Sequence, residues 1–296
     1  MLCGLIDPAQ EAIKIASDAG VPWYSSIADM LTQNRPDGLV LATPNQLHLS
    51  QGLQCIEAGL PILLEKPITT TVAEGEQLLA AVRKANAKVL IGHHRAHSPI
   101  MAKAKEVVAS GQLGHLVAIT GSATFFKPDH YFVDGAWRKE IGGGPILLNM
   151  IHEVHNLRML CGDIVAVQAF ASHAKRGFAV EDTVAINLRF ANGALGTFML
   201  SDTAASARSW EQTSQENRAY PSYGDEDRSW WKPFDSRTAD VLRDDPIKLQ
   251  MEHFGAVVRG EAQPLVSAAD GLMNLRITEA IAQAAKSGQV VNIASA

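Results

Sequence analysis

The sequence predicts an α/β protein in two parts. Residues 1–98 read as a parallel sheet covered by helices, and residues 99–296 as an α+β region with an open, mostly antiparallel sheet. Three observations carry this. Short apolar runs alternate with helical-period segments through the first hundred residues, the grammar of βαβ units. After Pro99 the runs lengthen, and a hairpin signal, Asn192-Gly193, joins two of them. The 296 residues are 47% hydrophobic and 19% charged, enough to bury two cores.

Taken in order, Leu2–Ile6 reads as a buried strand ending before Asp7. Pro8–Ala19 carries apolar residues at helical spacing, with Pro8 near its start and Gly20 just past its end. Ser25 or Ser26 can cap a helix running to about Gln33. Gly38–Ala42, Pro61–Leu64 and Lys88–Ile91 read as strands, with helices Gln46–Ala58 and Val72–Ala85 between them. A helix over Ile100–Ser110 leads into a long strand, Leu116–Phe126. Gly142–Gly144 precede an apolar helix, Pro145–Leu160. Val165–His173, Thr183–Phe190 and Leu195–Leu200 are strands, and two helices, near Ile247–Arg259 and Ala268–Lys286, follow. Residues 204–245 are polar and aromatic without a period and read as a long functional or interface loop.

The net charge of −5 gives no basic excess for nucleic acid or anionic lipid. No apolar run reaches the ~18 residues of a membrane span. The start has no basic segment followed by a long apolar one, so the expected location is cytoplasmic. Cys3, Cys55 and Cys161 are far apart and form neither a disulfide framework nor a cysteine zinc site.

Three constellations can carry chemistry. Ala42-Thr43-Pro44-Asn45, with His48, links a strand to a helix. Such a junction lies at the carboxyl end of a parallel sheet, where ligands bind; it is also an ordinary capped turn, for which Asn45 is a good N-cap. Glu65-Lys66-Pro67 follows the next strand. A lysine there can hold an alkoxide, or be a plain solvated lysine, and Pro67 is a candidate for a cis bond. The glycine triplet is followed by Asn149, His152 and Asn156 on one face of an apolar helix. That polar stripe needs partners, either a ligand cleft or the core itself.

The order Asp7, Thr43-Pro44-Asn45 with His48, Glu65-Lys66-Pro67, Gly92-His93-His94-Arg95, Trp137-Arg138, then the glycine triplet with His152 closely resembles the Gfo/Idh/MocA family of NAD(P)-dependent oxidoreductases. The resemblance spans essentially the whole chain. It implies a Rossmann domain followed by an open-sheet domain, and dehydrogenase chemistry on a secondary hydroxyl of a cyclic polyol, sugar or related ring. It implies Asp7 at the adenosine ribose, favouring NAD over NADP. Thr43, Asn45, His48, Glu65, Lys66, Arg95 and Arg138 become cofactor-binding residues, and Lys66 and His152 the catalytic pair. Asn149, Tyr131 and Trp137 are the candidates for orienting a small polyol or sugar-like substrate. A homodimer or homotetramer is also implied, and apolar residues on both phases of the strands near 183–200 (Val184, Ile186, Leu188, Phe198, Leu200) point the same way.

The chain departs from the pattern in places. The Asp that most relatives place four residues before the histidine is Leu148 here, with Asn149 beside it; the Asp three residues after it is His155; and the double arginine is Arg95-Ala96. The family's first strand and GxGxxG turn are not seen before Leu2, so the Rossmann sheet is expected to be incomplete and NAD binding by this chain weak. The runner-up reading is a non-catalytic binding or regulatory protein of the same fold. A metallohydrolase reading, prompted by His93, His94, His97 and His152-Glu153-Val154-His155, fails on spacing: the HExxH zinc motif needs histidines four apart.

Overall fold

A computed structural model of the chain describes residues 1–204, 219–222, 235–241 and 244–294. The first region holds β1 (Leu5–Ile6), α1 (Glu11–Asp18), β2 (Trp23–Tyr24), α2 (Ile27–Gln33), β3 (Leu39–Leu41), α3 (His48–Glu57), β4 (Ile62–Glu65), α4 (Val72–Ala85) and β5 (Val89–Gly92). All strand pairs here are parallel, but they form two sheets, β1-β2 and β3-β4-β5, with no ladder between them. Ile62–Leu64 and Val89–Ile91 are buried throughout, as strands covered on both faces must be. Ser26 caps α2 by accepting from Asp29 N at 3.1 Å. Thr71 and Glu74 form a capping box at α4, which ends at Asn86 in the left-handed region.

The second region begins with α5 (Pro99–Ala109) and β6 (Ala118–Thr124), followed by the short α6 (His130–Val133). The apolar helix expected over Pro145–Leu160 is not uniform. Ile146–Met150 form a π-helical turn that leads into α7 (Ile151–Cys161). Then come β7 (Ile164–Ser172), β8 (Thr183–Phe190) and β9 (Leu195–Ser201), the last two joined at Asn192-Gly193. In this hairpin Gly193 has φ +88° and Asn192 accepts from Ala194 N at 3.1 Å. Strands β10 (Ala219–Ser222) and β11 (Asp235–Thr238) pair antiparallel inside the stretch expected to be a loop. The rest of that stretch lies largely outside the described residues. Two helices, α8 (Pro246–Arg259) and α9 (Ala268–Ser287), and β12 (Val291–Asn292) follow.

The main sheet of this region has the order β12-β7-β8-β9-β6, antiparallel except for β6 against β9. Val184, Ile186, Leu188, Phe198 and Leu200 all point to one side, into the core. They are one phase, not two. The outer face carries Phe170, Leu195 and Met199 instead.

The boundary near residue 98 separates the sheets but not the cores. Phe254, Val266 and Leu275, from α8 and α9 and the link between them, belong to the first core, while Met273, Ile277 and Ile281 of α9 belong to the second. Gly271 lets α9 approach β5: a Cβ there would lie 2.9 Å from Ile91 Cγ1. Helix α9 therefore fixes the two regions against each other along the seam where the candidate site lies.

Candidate active site

The seam is built from the end of β4. Three buried residues, Ile62–Leu64, hold the strand rigid, and Glu65 and Lys66 emerge at its carboxyl end, followed by a cis bond to Pro67. Lys66 Nζ reaches the carbonyl oxygen of Leu148 in the π turn at 3.5 Å, a long contact. Burial, its main influence, and nearby Arg95 lower the Lys66 ammonium pKa, against the pull of Glu65. Burial pushes the Glu65 carboxyl up.

The π turn sets the opposite wall. Glu181 accepts from Ile146 N at 2.8 Å and holds its start. A Cβ at Gly144 would sit 2.5 Å from that carboxylate, so the third glycine of the triplet is needed for close approach. Asn149 Oδ1 accepts from Lys127 Nζ at 2.7 Å. His152 lies against two imidazoles of the other region, 5.7 Å from His93 and 5.1 Å from His94 between ring centroids. Burial first, then the Lys66 charge, hold the His152 pKa well below 6.5, so the ring is neutral at pH 7. Its Nδ1 is buried without a hydrogen-bond partner among the described residues.

Behind His152 stands a second polar layer. His93 and His155 stack at 4.9 Å, and the Asn274 amide nitrogen lies 3.2 Å from His93 Nε2 and 3.1 Å from His155 Nδ1. Asn274 Oδ1 accepts from Arg158 at 2.8 Å, which orients the amide as a donor to both rings. Both imidazoles are thereby fixed as acceptors at those atoms. Among the described residues no group of three or more His, Cys, Asp or Glu is placed to hold a metal ion.

The expected cofactor residues divide into two groups. Asp7 follows β1 and is exposed; its Oδ1 accepts from Ala9 N at 2.8 Å, and its Oδ2 carries no bond from the described residues. Thr43 donates to Gln51 at 2.7 Å, and Asn45 opens a 3₁₀ turn, Asn45–Leu47, without capping it. These residues, with Glu65 and Lys66, lie at the carboxyl ends of parallel strands, as a bound dinucleotide requires.

His48, Arg95 and Arg138 do not join them. His48 is fully buried, with its ring nitrogens 2.8 Å from Pro67 O and 3.0 Å from Thr43 O. A neutral imidazole has one N–H, so His48 donates to one of these carbonyls and abuts the other, packed between the β3 and β4 crossovers. Arg95 is buried, pairs with Glu153 of α7 and lies over the Phe125 ring. These contacts tie the end of β5 to α7 and to the residue that follows β6. Arg138 stacks 3.9 Å over Tyr131 and donates to the Tyr131 carbonyl at 2.6 Å. It stands with the expected substrate residues Tyr131 and Trp137, the latter largely exposed. Asn156 faces Glu153 at 3.4 Å.

Parallel strands whose ends present Lys66, with His152 supplied from a second, mixed-sheet region, form an arrangement that suits a dinucleotide-dependent oxidoreductase. Comparison with known proteins gives the family. Residues 1–93 match the oxidoreductase family, NAD-binding Rossmann fold, and residues 101–219 match the GFO/IDH/MocA C-terminal domain. The chain belongs to the Gfo/Idh/MocA family of sugar and polyol oxidoreductases, NAD(P)-dependent enzymes acting on CH–OH groups.

The chain is 27% identical to 1,5-anhydro-D-fructose reductase of Ensifer adhaerens, over 96% of this chain and 88% of that one. Rhizopine catabolism protein MocA of Rhizobium meliloti is 24% identical over 94% of this chain and 85% of its own. The same fold is found in levoglucosan dehydrogenase solved with NADH and levoglucosan, at TM-score 0.81 and 21% identity, over 99% of this chain and 90% of that one.

Proposed function

We propose that the protein moves a hydride between a secondary hydroxyl of a cyclic polyol, sugar or related ring and NAD. The observation that carries this is the convergence of Lys66, from the end of β4, with the π turn and His152 of the other region. Asp7, Thr43, Asn45, Glu65 and Lys66 would hold the dinucleotide, and the open Oδ2 of Asp7 suits a ribose hydroxyl better than a 2′-phosphate. When bound, the nicotinamide ring takes or returns the hydride. Lys66 places its ammonium at the reacting oxygen and stabilises negative charge there. His152, kept neutral, takes the hydroxyl proton at Nε2, since Nδ1 is sealed. Asn149, Tyr131 and Trp137 orient the ring. The enzyme relatives, reductase and dehydrogenases of sugars, support the substrate class.

A screen of cyclic polyols and sugars with NAD and NADP, followed by nicotinamide absorbance, tests the reading. Turnover with NAD that depends on Lys66 is expected. Cofactor binding without turnover on any ring substrate would overturn it, in favour of a non-catalytic binding protein.

A further inference from the structure

Lys127 was not visible as a functional residue in the sequence, yet it lies inside the candidate site. It follows β6, is half-buried, donates to Asn149 Oδ1 at 2.7 Å and lies 4.9 Å from the Tyr131 ring centroid. Lys66 enters from the other region and meets the preceding residue, at Leu148 O. Two ammonium groups thus arrive at consecutive positions of one π turn.

Each ammonium has three N–H donors. Among the described residues Lys127 spends one, on Asn149, and Lys66 spends one on a long contact. Neither forms an ion pair with a carboxylate of the described residues. The charges around Lys127 are mostly of its own sign: Arg138, Arg176 and Lys66 oppose it, and Asp202 favours it. Asp202 is already paired with Arg176 at 2.9 Å. On the Lys66 side the acid is Glu65, whose Oε2 accepts from the Lys66 backbone N–H at 3.3 Å and whose carboxyl burial pushes toward the neutral form. Burial and the neighbouring cations bring the Lys127 amine down to about 8. Half-buried cations with unspent donors and too little negative charge make a receptor for an anion.

We propose that Lys127 anchors substrate and that, with Lys66, it selects a polyhydroxylated ring or chain bearing a carboxylate over its neutral counterpart. This rests on the dehydrogenase reading above and names its substrate class. The carboxylate accepts from the free N–H groups of Lys127, while Lys66 remains within reach of the hydroxyl that reacts.

The test is calorimetric titration of the 296-residue chain, with and without saturating NADH, using matched pairs: D-glucuronate against D-glucose, and D-gluconate against D-glucitol. At least one acid is expected to bind about tenfold or more tighter than its neutral partner, the range of one or two charge-assisted hydrogen bonds. K127Q is expected to reduce that ratio to within about twofold, and K127R to keep most of it. The ratio in the wild-type protein should also fall between pH 7 and 9, as the Lys127 amine loses its proton, a readout that holds even if K127Q folds poorly. Equal binding within both pairs, no binding of either acid, or an acid preference that K127Q retains would each overturn the proposal. Acid binding that never leads to nicotinamide reduction would instead overturn the dehydrogenase reading. Turnover of neutral rings without acid preference would overturn the anion selectivity alone.

Discussion

Lys66 Nζ lies 3.5 Å from the carbonyl oxygen of Leu148, joining the end of β4 to the π turn across 82 residues of sequence. The contact is too long to contribute much to stability. In the proposed reaction a substrate oxygen competes with this carbonyl for the ammonium. Lys66→Met should therefore leave the fold intact and lower turnover about 10²–10³-fold, the usual loss when a donor that stabilises charge at the reacting oxygen is removed. Steady-state rates with the best substrate of the polyol and sugar screen measure it. Turnover near wild type would take Lys66 out of the mechanism.

Much of this site was legible in the sequence because it sits at strand ends. Apolar runs mark the strands, and a residue following one is placed at the carboxyl edge of the sheet, so Lys66 and Asp7 could be located from pattern alone. Position within the edge was not legible. His48 and Arg95 sit in the same kinds of motif but turn inward, to backbone carbonyls and to Glu153, partners 19 and 58 residues away. The π turn was invisible for a related reason: Ile146, Leu147, Leu148 and Met150 read as apolar helix whether the backbone ring closes at four residues or five. Lys127, Glu181 and Asn274 carry no local motif, and only tertiary packing brings them to the seam.

Asn274 is the member of the rear layer whose loss should be felt most in stability. Its amide serves His93, His155 and Arg158 together. Asn274→Ala leaves two buried ring nitrogens and one guanidinium N–H without that partner. The expected cost is about 1–3 kcal/mol, the desolvation penalty of unmet buried groups. Urea unfolding measures it, and a loss under about 0.5 kcal/mol would show that water replaces the amide.

The histidine layer also predicts a pH dependence. Burial first, then His253, His155 and His94, lower the His97 pKa to about 4. In the unfolded chain it titrates near 6.5. Above that value neither state is protonated at this ring and its stabilising contribution is complete. As pH falls from about 6.5 toward 4 the unfolded chain binds a proton that the folded one refuses, and stability is lost. His97→Gln removes this proton uptake. Wild type should lose stability relative to the variant across that window, read as a converging pair of urea midpoints. Parallel pH profiles would contradict the assignment.

Asp7 should set cofactor preference. Its free Oδ2 can accept from a ribose hydroxyl, and its charge opposes a 2′-phosphate. Asp7→Ser should lower the ratio of NAD to NADP affinity about tenfold or more, since one charge-assisted hydrogen bond is worth ~1.5–3 kcal/mol. Nicotinamide fluorescence titrations give both constants. An unchanged ratio would place the discriminating contact elsewhere.

The outer face of the five-stranded sheet gives the last prediction. Phe170, Ala185, Met199 and Ser122 are aligned across β7, β8, β9 and β6, and all four are exposed. The next row on that face, Asn187, Thr197 and Thr120, is polar but uncharged. Leu195 and Val117 extend the apolar surface toward the hairpin end, where Leu195 N donates to Val117 O at 3.2 Å. A sheet face of this kind, with Arg189 as its charged exception on β8, resembles an interface core more than a solvated surface. The expected partner is a second copy of the chain applied face to face through this sheet, which closes as an isologous dimer and can repeat to a tetramer. Light scattering at micromolar concentration should give a mass of two or four chains. Met199→Glu sets a charge in the centre of the aligned row, where a two-fold contact confronts it with its own copy or with buried apolar surface, and should shift the equilibrium toward monomer without lowering the thermal stability of the isolated chain. A wild-type mass of one chain, or an oligomer indifferent to Met199→Glu, would exclude this face as the contact.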